Sequence, residues 1–167
     1  SNTVVVFQKE NGEPPQLLDL PPITKRSGEI PSLIWQSSKT NDSFLVGQEI
    51  IELNLNKNER EGSLSQDFKR WIGSPKVNQI YNSSISPEKA GEILIHTIWE
   101  KVSKRIHIKR LVLTAPVETY RAYRNWLTKV CSSLNVKEIA LVDEPTAAAL
   151  GAGLPPGSKL LVVDIGG

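Results

Sequence analysis

Hydrophobic positions change their spacing about halfway along the chain. Up to about Ser86 they come in short clusters, "TVVVFQ", "IPSLIW" and "SFLVG", divided by turn formers such as Asn11-Gly12 and Pro14-Pro15. Clusters of that length between breakers predict short strands, and short connections suit antiparallel pairing. "QSSKTND" predicts a polar hairpin loop, "NLNKNEREGSLS" a solvated surface stretch, and "SQDFKRWIG" a short helix.

Beyond Ser86 the period becomes helical. Ser86-Pro87-Glu88 is a helix start, with a capping side chain, a proline whose missing N–H costs nothing in the first turn, and an acid near the positive end of the dipole. Ala90, Leu94, Ile98 and Val102 then recur four apart, widened by Ile93 and Ile95, which predicts one buried face. A strand "RLVLTAP" follows. Tyr120, Tyr123, Leu127, Val130 and Leu134 mark a second helix, "EIALVDE" a strand, "PTAAALGAG" a third helix and "KLLVVD" a final strand. Strand and helix alternating in this way predict right-handed crossovers and a parallel sheet. The fold class read from the pattern is α/β: an antiparallel meander joined to parallel strands with flanking helices.

Composition narrows the function classes. At 167 residues, 39% hydrophobic and 23% charged, the chain has the make-up of an ordinary globular domain. A net charge of +2 is small for a nucleic-acid module, and none is expected as a partner. Cys131 is the single cysteine, so no internal disulfide can form, and without a Cys/His cluster a structural zinc is not expected. No apolar run approaches the roughly 18 residues of a membrane span, and "SNTVVVFQ" has neither basic leader nor cleavage site, so no membrane is expected and the cytoplasm is the default. The basic run "KVSKRIHIKR" reads as charge favoured by a helix C-terminus rather than an acidic-partner surface. His96 and His107 read as structural, and Trp35, Trp71, Trp99 and Trp126 as packing residues.

Candidate chemistry gathers where the parallel strands end. Those ends are Pro116, then Asp143-Glu144-Pro145-Thr146, then Asp164-Ile165-Gly166-Gly167. Glu144 and Asp164 suit a hydrated magnesium ion, which takes a few carboxylates plus water, and the Gly166-Gly167 amides suit phosphate oxygens. The competing reading makes each acid a cap for the following turn or helix. Neither G-x-x-x-x-G-K-[ST] nor G-x-G-x-x-G occurs, so the P-loop and the dinucleotide fingerprint are excluded.

"VDEPTAAALGAG" followed by "LLVVDIGG" resembles the ATPase domain of the heat-shock protein 70 chaperones, within the ribonuclease H-like, actin-like ATPase fold. "SNTVVVF" resembles the end of that family's first phosphate loop, "FLVG" the strand before its second helix, "FKRWIG" its lysine-bearing segment and "LVLTAPVETYRAYR" its third-helix region. By this resemblance residues 1–167 are the N-terminal lobe of an actin-like ATPase domain, beginning inside the first phosphate loop and stopping inside the second.

The resemblance implies ATP or ADP with magnesium as ligands. It makes Lys69 the lysine that reaches the γ-phosphate and attacking water, Glu144 the carboxylate that orients water near the metal, and Asp164 the holder of magnesium-bound water. Ser1, Asn2 and Thr3 match the first phosphate loop, Gly166 and Gly167 the second, and Pro116 with Arg124 a relay from nucleotide to substrate domain. The implied partners of the parent are unfolded client polypeptides, a nucleotide exchange factor and a J-domain protein, and the isolated segment is expected to be inactive.

Four departures mark a divergent member. Asp143 stands where the family has Asn and adds negative charge to the site. Thr119 replaces an aromatic, Ser74 replaces an arginine, and the connection from Gly73 to Ser86 is short. Two function classes follow: an ATP hydrolase driving a chaperone cycle, or a nucleotide-sensing or scaffold module without turnover. An actin-like filament former or sugar kinase shares the fold, and the Glu-Pro-Thr-Ala-Ala-Ala run is read as pointing away from it.

Overall fold

Short apolar clusters become strands where a neighbour completes their hydrogen bonds. In the computed structural model, β1 (Asn2–Val4) pairs antiparallel with β4 (Glu29–Pro31), and β2 (Val6–Phe7) pairs with β3 (Gln16–Leu17). A further sheet places β5 (Ile34–Ser37) between β6 (Phe44–Val46) and β7 (Gly62–Ser65), antiparallel to both. The structure describes residues 1–40, 43–57, 61–75, 81, 83–117, 120–153, 155, 157–159 and 161–163. They divide into two compact units, Ser1–Ile106 and His107–Gly167, each with its own core.

β7 corrects the expectation of a solvated stretch. "GSLS" has one large apolar residue, so its own pattern is silent. It becomes a strand because it fits β5, with Leu64 opposite Trp35 and Gly62 opposite Ser37. A Cβ on Gly62 would fall 2.3 Å from the Gln36 carbonyl oxygen and 2.5 Å from the Trp35 ring. Pairing and close approach, rather than hydrophobic alternation, make this strand. The short α1 (Gln48–Glu52) and a 3-10 turn at Leu55–Lys57 also carry too few apolar residues to show a period; Ile50 alone of them is buried.

The segment predicted as a short helix is a 3-10 turn, Phe68–Trp71, entered through Asp67 in the left-handed conformation at φ 55°. Phe68 and Ile72 are fully buried and anchor it. Its exit is tied to the long helix α2 (Pro87–Ser103), where Glu88 Oε1 accepts from the Gly73 N–H at 3.0 Å. The start of α2 is as expected: Ser86 Oγ accepts from the Lys89 N–H at 3.1 Å. Pro87, Ala90, Gly91, Leu94 and Val102 are buried, and the helix packs on the 3-10 turn, β5 and β6. Each large side chain buried there contributes roughly 1.5–3 kcal/mol.

The basic end of α2 serves the fold. Lys101 Nζ donates to the Pro21 carbonyl at 3.3 Å and Arg105 to the Asp19 carbonyl at 3.0 Å, while Lys104 pairs with Glu100 one turn back. Cations placed there satisfy backbone oxygens and the helix dipole together.

In the second unit β8 (Arg110–Ala115) and β9 (Glu138–Asp143) run parallel. Their connection is α3 (Tyr120–Cys131), which buries Tyr123, Leu127, Val130 and Cys131, with Leu134 just beyond. The Tyr120 side chain lies outside the described part. Arg110 Nη2 meets Glu138 Oε2 at 2.6 Å where the strands begin. α4 (Glu144–Gly151) leaves the end of β9. The predicted final strand is corrected: among the described residues 161–163 no ladder forms, and Leu161 is 84% exposed. A strand exists only through its ladder partner, however apolar its sequence. No helix among the described residues is long and apolar enough to cross a membrane.

Candidate functional site

The two parallel strands end level. Ala115 stands opposite Asp143, so Pro116 and Glu144 follow neighbouring strand tips. Asp143 is the N-cap of α4, and both its oxygens are used: Oδ1 accepts from the Thr146 N–H and Oδ2 from the Thr146 hydroxyl, each at 2.8 Å. Those Thr146 bonds hold the Asp143 carboxyl below the ordinary carboxylate range. For Asp143 the capping reading is therefore the right one, and aspartate in place of asparagine is an exchange between two good caps. Its charge is committed to the helix. Glu144, one residue on, is exposed at the positive end of α4, with Pro145 in the first turn.

Behind Glu144 lies Tyr123, 8% exposed and edge-on to Trp126 at 5.2 Å between ring centroids. Burial pushes its hydroxyl up to about 12, and the negative charge of Glu144 adds to the shift. Arg124 is exposed on α3 and Pro116 half-buried after β8. Asp164, Gly166 and Gly167 lie outside the described residues, as does Thr119, so the expected Glu144–Asp164 pairing and the diglycine cradle lie outside them too.

The first unit brings together two residues that the motifs named separately. Asn2 and Thr3 stand in β1. The Ser32 N–H donates to the Ser1 carbonyl at 3.0 Å and the Val5 N–H to the Gly28 carbonyl at 2.8 Å, so odd positions face β4. Asn2 and Pro31 stand opposite one another as a non-hydrogen-bonded pair. The Asn2 carbonyl points to the open side, where Lys69 Nζ donates to it at 2.9 Å. Arg70, beside Lys69, lies instead over the Trp71 ring at 5.4 Å. The 3-10 turn thus sends two adjacent cations to different tasks.

Sequence reasoning missed the residues that hold this edge. Glu29 Oε1 accepts from Asn2 Nδ2 at 2.6 Å, and the Thr3 and Ser32 hydroxyls lie 3.3 Å apart, with Ser32 1% exposed. Partners 27 and 29 residues away leave no local signal. The Asp143 cap was detectable, because an aspartate before a proline-bearing helix start, with threonine three residues on, is a capping pattern.

Residues 77–167 match the family model described as MreB/Mbl protein. The chaperone protein DnaK of Mycoplasma mobile is 29% identical, over 100% of this chain and 27% of that protein. The cell shape-determining protein MreB of Escherichia coli K12 is 30% identical, over 63% of this chain and 33% of that protein. Among solved structures, MreB5 of Spiroplasma citri bound to ADP superposes with a TM-score of 0.55 at 20% identity, covering 75% of this chain and 34% of that one. The chain thus spans about a third or less of the length of these relatives. The matched stretch includes Glu144 to Ala149, so this run does not set the chain apart from the MreB/Mbl family, against the expectation that it points to the chaperones alone. In this structure the run caps and starts a helix at paired strand tips. The chain has the actin-like ATPase fold and belongs to the MreB/Mbl family.

Proposed function

We propose that this chain supplies phosphate-facing elements of an ATP-binding and ATP-hydrolysing site in an actin-type protein. The observation that carries the reading is the contact between Lys69 Nζ and the Asn2 carbonyl at 2.9 Å. It sets a mobile point charge against the segment matched to the first phosphate loop, where γ-phosphate charge needs compensation. The ADP named with the Spiroplasma citri MreB5 structure supports a nucleotide as the ligand.

In this reading Lys69 meets the charge that develops in transfer, and Glu144 orients the attacking water. Ser1, Asn2 and Thr3 are assigned to phosphate binding, and so are the Gly166 and Gly167 amides. Magnesium requires only one or two carboxylates because it keeps most of its water, and exposed Glu144 at a strand tip suits that, with Asp164 as its proposed companion. The ion would neutralise phosphate charge. Asp143 is given the helix-capping task, with one oxygen on the Thr146 N–H and the other on its hydroxyl.

The parent activity follows the family, and the first reading is an ATP-dependent filament former of the MreB type. A chaperone cycle, with client polypeptides and co-chaperones as partners, is the second reading. It is favoured by one observation: the DnaK match runs over 100% of the chain where the MreB match covers 63%. ATP and magnesium added to the full-length protein decide the matter. Sedimentable polymer that disappears without ATP supports the first reading, and ATP-dependent refolding of a denatured client without polymer supports the second. Binding without hydrolysis leaves a nucleotide-sensing module, and no binding at all overturns the proposal.

A further inference from the structure

Glu29 is a half-buried carboxylate with a partner on each oxygen. Its side chain is 23% exposed, Oε1 accepts from Asn2 Nδ2 at 2.6 Å, and Oε2 faces Arg26 Nε at 3.1 Å. Its backbone is held as well: its N–H donates to the Arg26 carbonyl at 2.9 Å, and its carbonyl accepts from the Lys25 N–H at 2.8 Å. So a rigid anchor grips the Asn2 side chain, while the Asn2 main-chain carbonyl carries the Lys69 ammonium on the side away from β4. Asn2 and Pro31 are a non-hydrogen-bonded pair of the ladder, so no β4 amide points at that carbonyl.

We propose that Glu29 is a positioning residue for Lys69, acting through Asn2 to set where the ammonium stands for the γ-phosphate of a nucleoside triphosphate. The inference rests on the role given to Lys69 above. Asn2 is the first residue of β1, and without the Glu29 tether that end of the strand frays more readily from β4, so its main-chain carbonyl no longer offers one direction to the lysine. Arg26 completes the arrangement. With its second oxygen paired, the Glu29 carboxylate does not meet an arriving polyphosphate as a bare anion.

Two readouts test this in the full-length protein. The first needs no nucleotide: acetic anhydride labelling of Lys69, read by peptide mass spectrometry against Lys57. Glu29→Ala is expected to raise Lys69 labelling roughly threefold or more, the scale of one net hydrogen bond. Glu29→Gln still offers an acceptor to Asn2 and stays within about twofold of the wild type. The second readout is single-turnover hydrolysis of ATP with magnesium. Glu29→Ala slows it roughly three- to tenfold while ATP affinity is kept, and it slows Lys69→Ala no further, because the two act as one unit. Equal losses of ATP and ADP affinity would mark a merely structural residue and overturn the proposal. So would unchanged labelling, or a full extra loss in the Lys69→Ala background. Increased labelling in a protein that does not hydrolyse ATP would uphold the positioning and sink the hydrolase reading instead.

Discussion

Lys69 Nζ donates to the main-chain carbonyl of Asn2, 67 residues earlier in the chain, at 2.9 Å. The lysine is half-buried, and its 3-10 turn is pinned by Phe68 and Ile72. In the role proposed for it, this cation acts on charge that develops during phosphoryl transfer more than on the bound ground state. Lys69→Ala is therefore expected to slow single-turnover ATP hydrolysis roughly 10²-fold, with ATP affinity kept within about threefold. An unchanged hydrolysis rate would remove Lys69 from the mechanism.

Asp143 is expected to matter for stability and not for turnover. Asp143→Ala removes both Thr146 bonds and should lower the melting temperature, while Asp143→Asn keeps an acceptor for the Thr146 N–H and should stay close to the wild type. The folded-state pKa lies below the ordinary 3.8. Its contribution is thus present above that value and is lost as pH falls through the lower folded-state value. Urea melts at pH 7 and pH 3 test this, and the wild type should lose more of its advantage over Asp143→Ala on acidification.

Tyr123 sets a limit at the alkaline end. The hydroxyl titrates at about 12 in the fold against 10.0 ordinarily, so the native state holds a proton that the unfolded chain releases. Stability is full below pH 10 and falls as pH rises toward 12, by roughly 2–3 kcal/mol in all. Tyr123→Phe should flatten that fall. Tyrosinate absorbance near 295 nm provides the direct measurement, and a wild-type titration complete by pH 11 would contradict it.

Gly62 has no room for a side chain. A methyl group there meets the Gln36 carbonyl oxygen at 2.3 Å, and a backbone atom within a ladder cannot swing aside. Gly62→Ala is expected to destabilise by roughly 1–3 kcal/mol, read as a lower urea midpoint, with loss of the β5–β7 pairing visible in amide exchange.

Cys131 is 1% exposed, and burial pushes its thiol up to about 11. It should react with a disulfide reagent only when α3 opens, since the thiolate is the nucleophile. Labelling under native conditions is expected to accelerate in step with urea-induced unfolding. Rapid labelling in buffer alone would show that the core around Leu127 and Val130 is not closed.

Elements that carry their own period were legible in the residues. The α2 stripe of Ala90, Leu94 and Val102, its Ser86 cap and the α3 stripe of Tyr123, Leu127 and Val130 follow from local spacing, because each helix buries one face by itself, and β8 and β9 follow from apolar runs between turn formers. The motif at Glu144 was legible too, since a cap, a proline and small residues form a local pattern. Tertiary structure alone decided the rest. β7 is a strand because Trp35 and Gln36 leave room only for Gly62; residues 161–163 are not, because among the described residues no partner reaches them. Lys69 reaches Asn2 through a fold that closes 67 residues of chain. Local chemistry determines which elements a chain can form; which distant atoms come within 3 Å depends on packing that no window of sequence contains.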